Sequence, residues 1–232
     1  MKADPLGGFR HFHDQLGELK QRLLDMSERA EALIGLSVDA LLTRDGGKAD
    51  AVIEGDREID NLELEIEQLA IALLALQQPM ARDLRFIIAA IKVSNDLERV
   101  GDHAVNIAES AKRLADTKSP VSVDPTIEDM ARRSKQMLSD ALDAFIRGDG
   151  ALARAVCASD DDVDTLHESV FRTLLTHMMA DAATITPSMD LILVSRNLER
   201  VADLATNIGE DAVFLAEGKQ IKHHFEERSA AR

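Results

Sequence analysis

Little in this chain invites covalent or stacking chemistry. Its 232 residues include one cysteine, Cys157, so no intrachain disulfide can form; beside Val156 the thiol reads as a small core residue rather than a reactive group. Tryptophan and tyrosine are absent and there are seven phenylalanines, so platforms for stacking nucleic-acid bases would have to come from scattered residues that more often fill a core. Basic residues are in deficit, 27 against 42 acidic, and the net charge of −15 repels phosphate backbones and anionic lipid heads unless a local basic patch intervenes. Nucleic acid is not an expected partner. Long apolar runs are missing too: Ala70–Leu76 and Phe86–Ile91 fall far short of the roughly 20 residues that span a bilayer, and no signal-peptide h-region opens the chain. A cytoplasmic protein without direct membrane insertion is expected. There is no glycine-rich phosphate loop, no nucleophile elbow, no Cys-x-x-Cys pair and no nucleophile with a nearby base, so enzymatic catalysis is not expected.

What is present is helical spacing. No segment alternates apolar and polar residues for long, while steps of three and four run through nearly the whole sequence. The pattern predicts six helices: Phe9–Thr43, Ala49–Gln77 and Ala81–Asp116, then Pro125–Arg147, Ala151–Ala180 and Ser188–Glu217. Gly46-Gly47 suit a left-handed cap after the first helix, Ser119–Pro125 form a linker, and a bend falls at Thr186-Pro187. Long helices with short connections pack antiparallel, so the expected fold is all-α, two tandem three-helix bundles over residues 1–118 and 119–232, the second ending in a short polar tail that carries His223 and His224.

The two halves are copies. Leu97–Glu109 (LERVGDHAVNIAE) returns 101 positions later as Leu198–Glu210 (LERVADLATNIGE) with nine of thirteen residues identical. Glu98, Asp102, Asn106 and Glu109 return as Glu199, Asp203, Asn207 and Glu210, residues that an apolar core would not by itself preserve. Asp56 and Asp60 recur at an offset of 104 as Asp160 and Asp164. The change from 104 to 101 places a three-residue deletion in a connector of the second half.

The spacing puts these carboxylates in or beside core seams. Val52, Ile59, Leu62, Ile66, Leu69, Leu73 and Leu76 make an apolar seam that passes through Asp56, and Val156, Val163 and Val170 make one that passes through Asp160. Ile87, Ala90, Ser94, Leu97, Gly101, Ala104, Ala108 and Ala111 form a narrow small-residue seam, with Glu98 and Asp102 just beside it. Carboxylates four apart repel, more so when partly buried, and require a cation. Arg57 could serve Asp60 and Arg99 could serve Asp102 on an arginine-neutralised face, but the counterpart of Arg57 is Asp161, so that pairing is not duplicated. A metal accounts for both halves: Asp56, Asp60, Glu98, Asp102 and Asn106 in the first, and Asp160, Asp164, Glu199, Asp203 and Asn207 in the second, are all-oxygen sets suited to hard divalent ions such as magnesium, manganese or iron. His103 is replaced by Leu204 in the second half and reads as a surface or interface histidine; His167 is a weak ligand candidate because Glu63 fills the equivalent position.

These residues resemble the PhoU family of phosphate-transport regulators, which is similar over roughly Phe9–Glu217 and has a (Glu/Asp)-x-x-x-Asp pair on two helices of each half. The resemblance implies a cytoplasmic, typically homodimeric adaptor that restrains phosphate uptake and starvation signalling through the ATPase of the Pst phosphate ABC transporter and the PhoR sensor kinase. It also implies multinuclear iron or zinc, or other divalent ions, on the carboxylates. The second half departs from the motif at Ala202, Leu204 and Gly209, which would make its site tighter at the backbone, weaker or differently populated. An alternative from another class is a metal-handling or metallohydrolase bundle.

Overall fold

The computed structural model describes residues 5–77, 79–116, 121–218 and 221. It is all-α, with two repeated three-helix bundles. The first comprises α1 (Pro5–Thr43), α2 (Gly46–Gln77) and α3 (Ala81–Asp116); the second comprises α4 (Pro125–Arg147), the pair α5 (Gly150–Ala158) and α6 (Asp160–Ala180), and α7 (Ile185–Glu217). Residues 119–120 of the expected linker, and His223 and His224, lie outside the described residues.

The connectors show why the repeat is read so clearly. At the first turn the left-handed residue is Arg44, φ 52°, not a glycine, and Asp45 then caps α2 by accepting from Gly47 N at 2.9 Å and Lys48 N at 3.2 Å. Gly46-Gly47 therefore open α2 rather than close α1, a correction to the expected cap. At the equivalent turn, 104 residues on, Gly148 takes the left-handed conformation with φ 69° and Asp149 caps α5 through Ala151 N and Leu152 N, each at 3.0 Å. Asp124 caps α4 through Thr126 N at 2.8 Å, with Pro125 in the first helical position, where it forfeits no bond.

Two expected boundaries move. The helix expected over Ala151–Ala180 is broken at Ser159, whose hydroxyl donates to Ala155 O at 2.9 Å while Asp160, Asp161 and Asp162 crowd the first turn of α6. A serine that bonds back to its own helix and three acids that favour a fresh N-terminus both promote the break. At the other end α7 starts at Ile185 after a 3₁₀ turn over Ala182–Thr184, so Pro187 sits buried in the first turn rather than at a bend. The deletion falls where expected: by the two offsets Gln77 matches Asp181 and Ala81 matches Ala182, leaving no counterpart for residues 78–80.

Packing follows the seams. All eight small-seam residues of α3 are buried, as are Val156, Val163 and Val170. Leu76 is 73% exposed, so the α2 seam ends at Leu73. The halves meet where α3 packs on α7 and α1 on α4, and Phe86 stacks on Phe145 across them with ring centroids 5.3 Å apart. The α3·α7 crossing is antiparallel, since His103 reaches Asn197 and Arg113 reaches Asp190. Buried apolar side chains of both halves form one contiguous core.

Candidate metal centre

Helices α2 and α3 bring the first carboxylate pairs together. Asp56 is half-buried, and its Oδ1 is shielded from solvent with no hydrogen-bond partner among the described residues. A buried unpaired carboxylate oxygen is costly. Burial, then Asp60 and Asp102, push Asp56 up to about 6. Glu98 is raised by burial and by Asp102, then by Glu63, Asp60 and Asp56. The arrangement is thus one coupled acidic cluster, and it includes Glu63, itself raised by burial, Glu67 and Asp60.

Helices α6 and α7 repeat the arrangement. Asp160 Oδ1 and Glu199 Oε2 are buried with no hydrogen-bond partner among the described residues. Asp160 is pushed up to about 6 by burial, Asp203 and Asp164; the Thr206 hydroxyl draws it down without closing a hydrogen bond of good geometry. Asp164 and Glu199 are raised by burial and Asp203, and His167 pulls both down. Position 63/167 therefore belongs to each cluster, as Glu63 in one half and His167 in the other. His167 also bonds Ser195 Oγ through Nδ1 at 3.0 Å. Its sequence signal was its place three residues after Asp164, which a mismatched counterpart obscured.

The arginine-neutralised alternative holds in part of one half. Arg57 makes no ion pair among the described residues, and Arg99 lies 4.0 Å from Asp96, not on Asp102. Its counterpart Arg200 does reach Asp203 at 2.7 Å and Glu199 at 3.5 Å. Among the described residues the first cluster has no protein cation paired with it, whereas the second is half neutralised. Backbone packing differs as well. A Cβ on Gly101 would overlap Asp56 Oδ1, so glycine makes room for the carboxylate; in the second half that position is the buried Ala202. The close approach shifts two turns on to Gly209, where a Cβ would stand 3.2 Å from Ala153 O and from Cys157 Sγ. Burial pushes that thiol up to about 11, so it stays protonated and inert.

As the side chains stand, no three His, Cys, Asp or Glu groups among the described residues converge closely enough to hold an ion. The carboxylates couple through a shared seam, and turning the exposed Asp60 and Asp102 side chains inward is what a closed cage requires. The donor chemistry fits a hard cation in the first half, and a nitrogen-tolerant one in the second. Asn106 is exposed and lines a groove between α3 and α7 together with Glu109. Asn207 is half-buried. His103 is an interface histidine, its Nδ1 2.8 Å from Asn197 Oδ1.

A duplicated helical bundle with an acidic cluster between the second and third helix of each unit defines the class. The PhoU domain family model matches residues 23–111 and 127–212, and the chain belongs to the PhoU family. It is 39% identical over 212 residues to the phosphate-specific transport system accessory protein PhoU homolog of Caulobacter vibrioides, covering 91% of this chain and 92% of that one. The homolog of the same description from Clostridium acetobutylicum is 39% identical, covering 90% and 96%. Among solved structures, PhoU from Pseudomonas aeruginosa superposes with a TM-score of 0.86 at 35% identity, over 90% of this chain and 100% of that one. The phosphate transport system regulatory protein PhoU from Streptococcus pneumoniae gives 0.84 at 29% identity, over 91% and 99%. No helix among the described residues is long and apolar enough to cross a membrane.

Proposed function

We propose that this protein is a cytoplasmic regulator of phosphate uptake and phosphate-starvation signalling. It acts as a negative adaptor on the ATPase of a Pst phosphate ABC transporter and on a PhoR-type sensor kinase, and works as a homodimer. Its relatives are described as accessory and regulatory proteins of phosphate transport. The observation that carries the metal part of the reading is the pair of orphaned oxygens, Asp56 Oδ1 and Asp160 Oδ1, at repeat-equivalent core positions. Each is buried against its neighbours' negative charge. A divalent ion, iron, zinc, manganese or magnesium, held by Asp56, Asp60, Glu98 and Asp102, and by Asp160, Asp164, Glu199 and Asp203, would supply the missing positive charge. It would tie α2 to α3 and α6 to α7. His167 is the added nitrogen donor of the second site. Catalysis is no part of the proposal, since the carboxylates that might act as bases are those assigned to the metal.

Changing Asp56 and Asp60 to Asn, with Glu98→Gln and Asp102→Asn, is expected to halve the metal content of protein purified without an affinity tag, as read by elemental analysis. Unchanged content per chain would remove the ligand assignment. Deleting the gene in its own host is expected to leave starvation genes expressed in phosphate-rich medium and to let phosphate accumulate. If those genes still shut off normally, and neither the transporter ATPase nor the kinase co-purifies, the adaptor reading fails and a metal-handling role takes precedence.

A further inference from the structure

We propose that the groove between α3 and α7 binds a small ligand carrying two or more phosphate groups. In a chain of net charge −15, four arginines line this one groove, Arg99 and Arg113 from α3 and Arg196 and Arg200 from α7, against a single acidic lining residue, Glu109. The gathering is a product of the duplication. Arg99 and Arg200 are the same residue of the two LERV copies, and the antiparallel crossing of α3 and α7 brings them to one place.

The groove is braced rather than collapsed. Its two walls are joined by His103 Nδ1 to Asn197 Oδ1 and by Arg113 Nε to Asp190 Oδ1, each at 2.8 Å. Neighbouring acids do not explain all four cations. Arg113 and Arg200 are paired, but Arg99 stands 4.0 Å from Asp96, beyond hydrogen-bond reach, and Arg196 has no partner among the described residues. Arg99 and Arg196, placed beside two further cations without a hydrogen-bonded counter-charge of their own among the described residues, are repelled by them, which folding alone does not call for.

The chemistry names the class. Guanidinium forks match phosphate oxygens in pairs, and the Ser110 hydroxyl and the amides of Asn106 and Asn197 add neutral hydrogen-bonding groups to the same lining. A volume of about 510 Å³ suits a small molecule rather than one ion. Among the described residues no phenylalanine lines it, and the ring of His103 is held by Asn197, so charge on phosphate rather than base stacking would hold the ligand. The site adjoins the second carboxylate cluster through Arg200, which also pairs with Asp203 and Glu199, but it does not depend on the regulatory reading above.

The test is isothermal titration of the full chain in EDTA, with pyrophosphate, tripolyphosphate and ATP against orthophosphate, citrate and an acidic peptide. Saturable binding of the first three, weakened by added salt, is expected. Arg196→Gln and Arg99→Gln are each expected to weaken it about tenfold or more, because a charge-assisted hydrogen bond is lost. Arg172→Gln, on the outer face of α6, should leave it unchanged. Should either glutamine variant melt lower, Arg196→Lys serves instead: it keeps the charge, loses the fork and is expected to bind more weakly. The proposal is overturned if no saturable binding is found, if the groove variants bind as the parent does, or if orthophosphate, citrate or the acidic peptide binds as tightly as tripolyphosphate.

Discussion

Metal-free protein is expected to become more stable, not less, as pH falls from about 7 to about 5, the opposite of the usual behaviour of paired carboxylates. Asp56 and Asp160 have ordinary values near 3.8 and are pushed up to about 6 by burial and by their acidic neighbours. Between those values the folded chain holds protons that the unfolded chain has released, so stability declines as pH rises through the window and is flat above it. Glu31, Glu63, Glu98, Asp164 and Glu199 are shifted in the same direction. His103, lowered by burial, works the other way, losing stability as pH falls; Asp129, lowered by its hydrogen bonds to Arg132 and Arg133, does so only below the ordinary carboxylate range and leaves this window untouched. Self-repulsion from a net charge of −15 also relaxes on acidification. Melting curves in EDTA across this range provide the check, and Asp56→Asn with Asp160→Asn should both raise the melting temperature at neutral pH and flatten its pH dependence. Bound divalent metal reverses the sign, because protons and metal compete for the same oxygens: metal should stabilise most at neutral pH, by about 2.7 kcal/mol at a hundredfold excess over its dissociation constant. A metal-free protein whose melting temperature falls steadily from neutral to acid pH, in parent and variant alike, would mean that the buried carboxylates are already satisfied.

The parts of this molecule that the sequence makes legible are those with local periodic causes. Asp56 and Asp160 interrupt aliphatic seams, and a buried charge that breaks a three-four pattern twice is visible without coordinates. The burial of Gly101 and Ala104 follows likewise from the small-residue spacing of α3. Termini were harder, because Ser159 competes for its own helix carbonyl and Arg44 takes a left-handed conformation that its side-chain type does not advertise. The groove was hidden for a different reason. Arg99, Arg113, Arg196 and Arg200 lie on two helices about a hundred positions apart, and only the antiparallel crossing of α3 and α7 makes neighbours of them. Asn106 lines that groove as well: one face of α3 serves its own bundle, and the adjacent strip serves the other half.

The largest mechanical effect is expected from Leu198→Ala in the core face of α7. Leu198 and its repeat counterpart Leu97 are both fully buried, and the Leu198 carbonyl accepts from the Ser134 hydroxyl at 2.9 Å, tying α7 to α4 at the same level. Truncating such a leucine removes its transfer free energy and leaves a cavity, a loss of about 2–5 kcal/mol. At about 2–4 °C per kcal/mol for a chain of this size, the shift in melting temperature is large enough to read by far-UV circular dichroism, which the absence of tryptophan and tyrosine makes the natural probe. The way the curve moves carries more information than its size. Because the core is contiguous across both halves and Phe86 stacks on Phe145 between them, the chain is expected to melt in a single transition that Leu97→Ala and Leu198→Ala lower alike. Independent bundles would instead give two steps, with each substitution shifting only its own. In a shared transition an ion bound in either half would stabilise the whole chain against unfolding, so metal added to a variant with one cluster removed is expected to raise that single transition rather than split it.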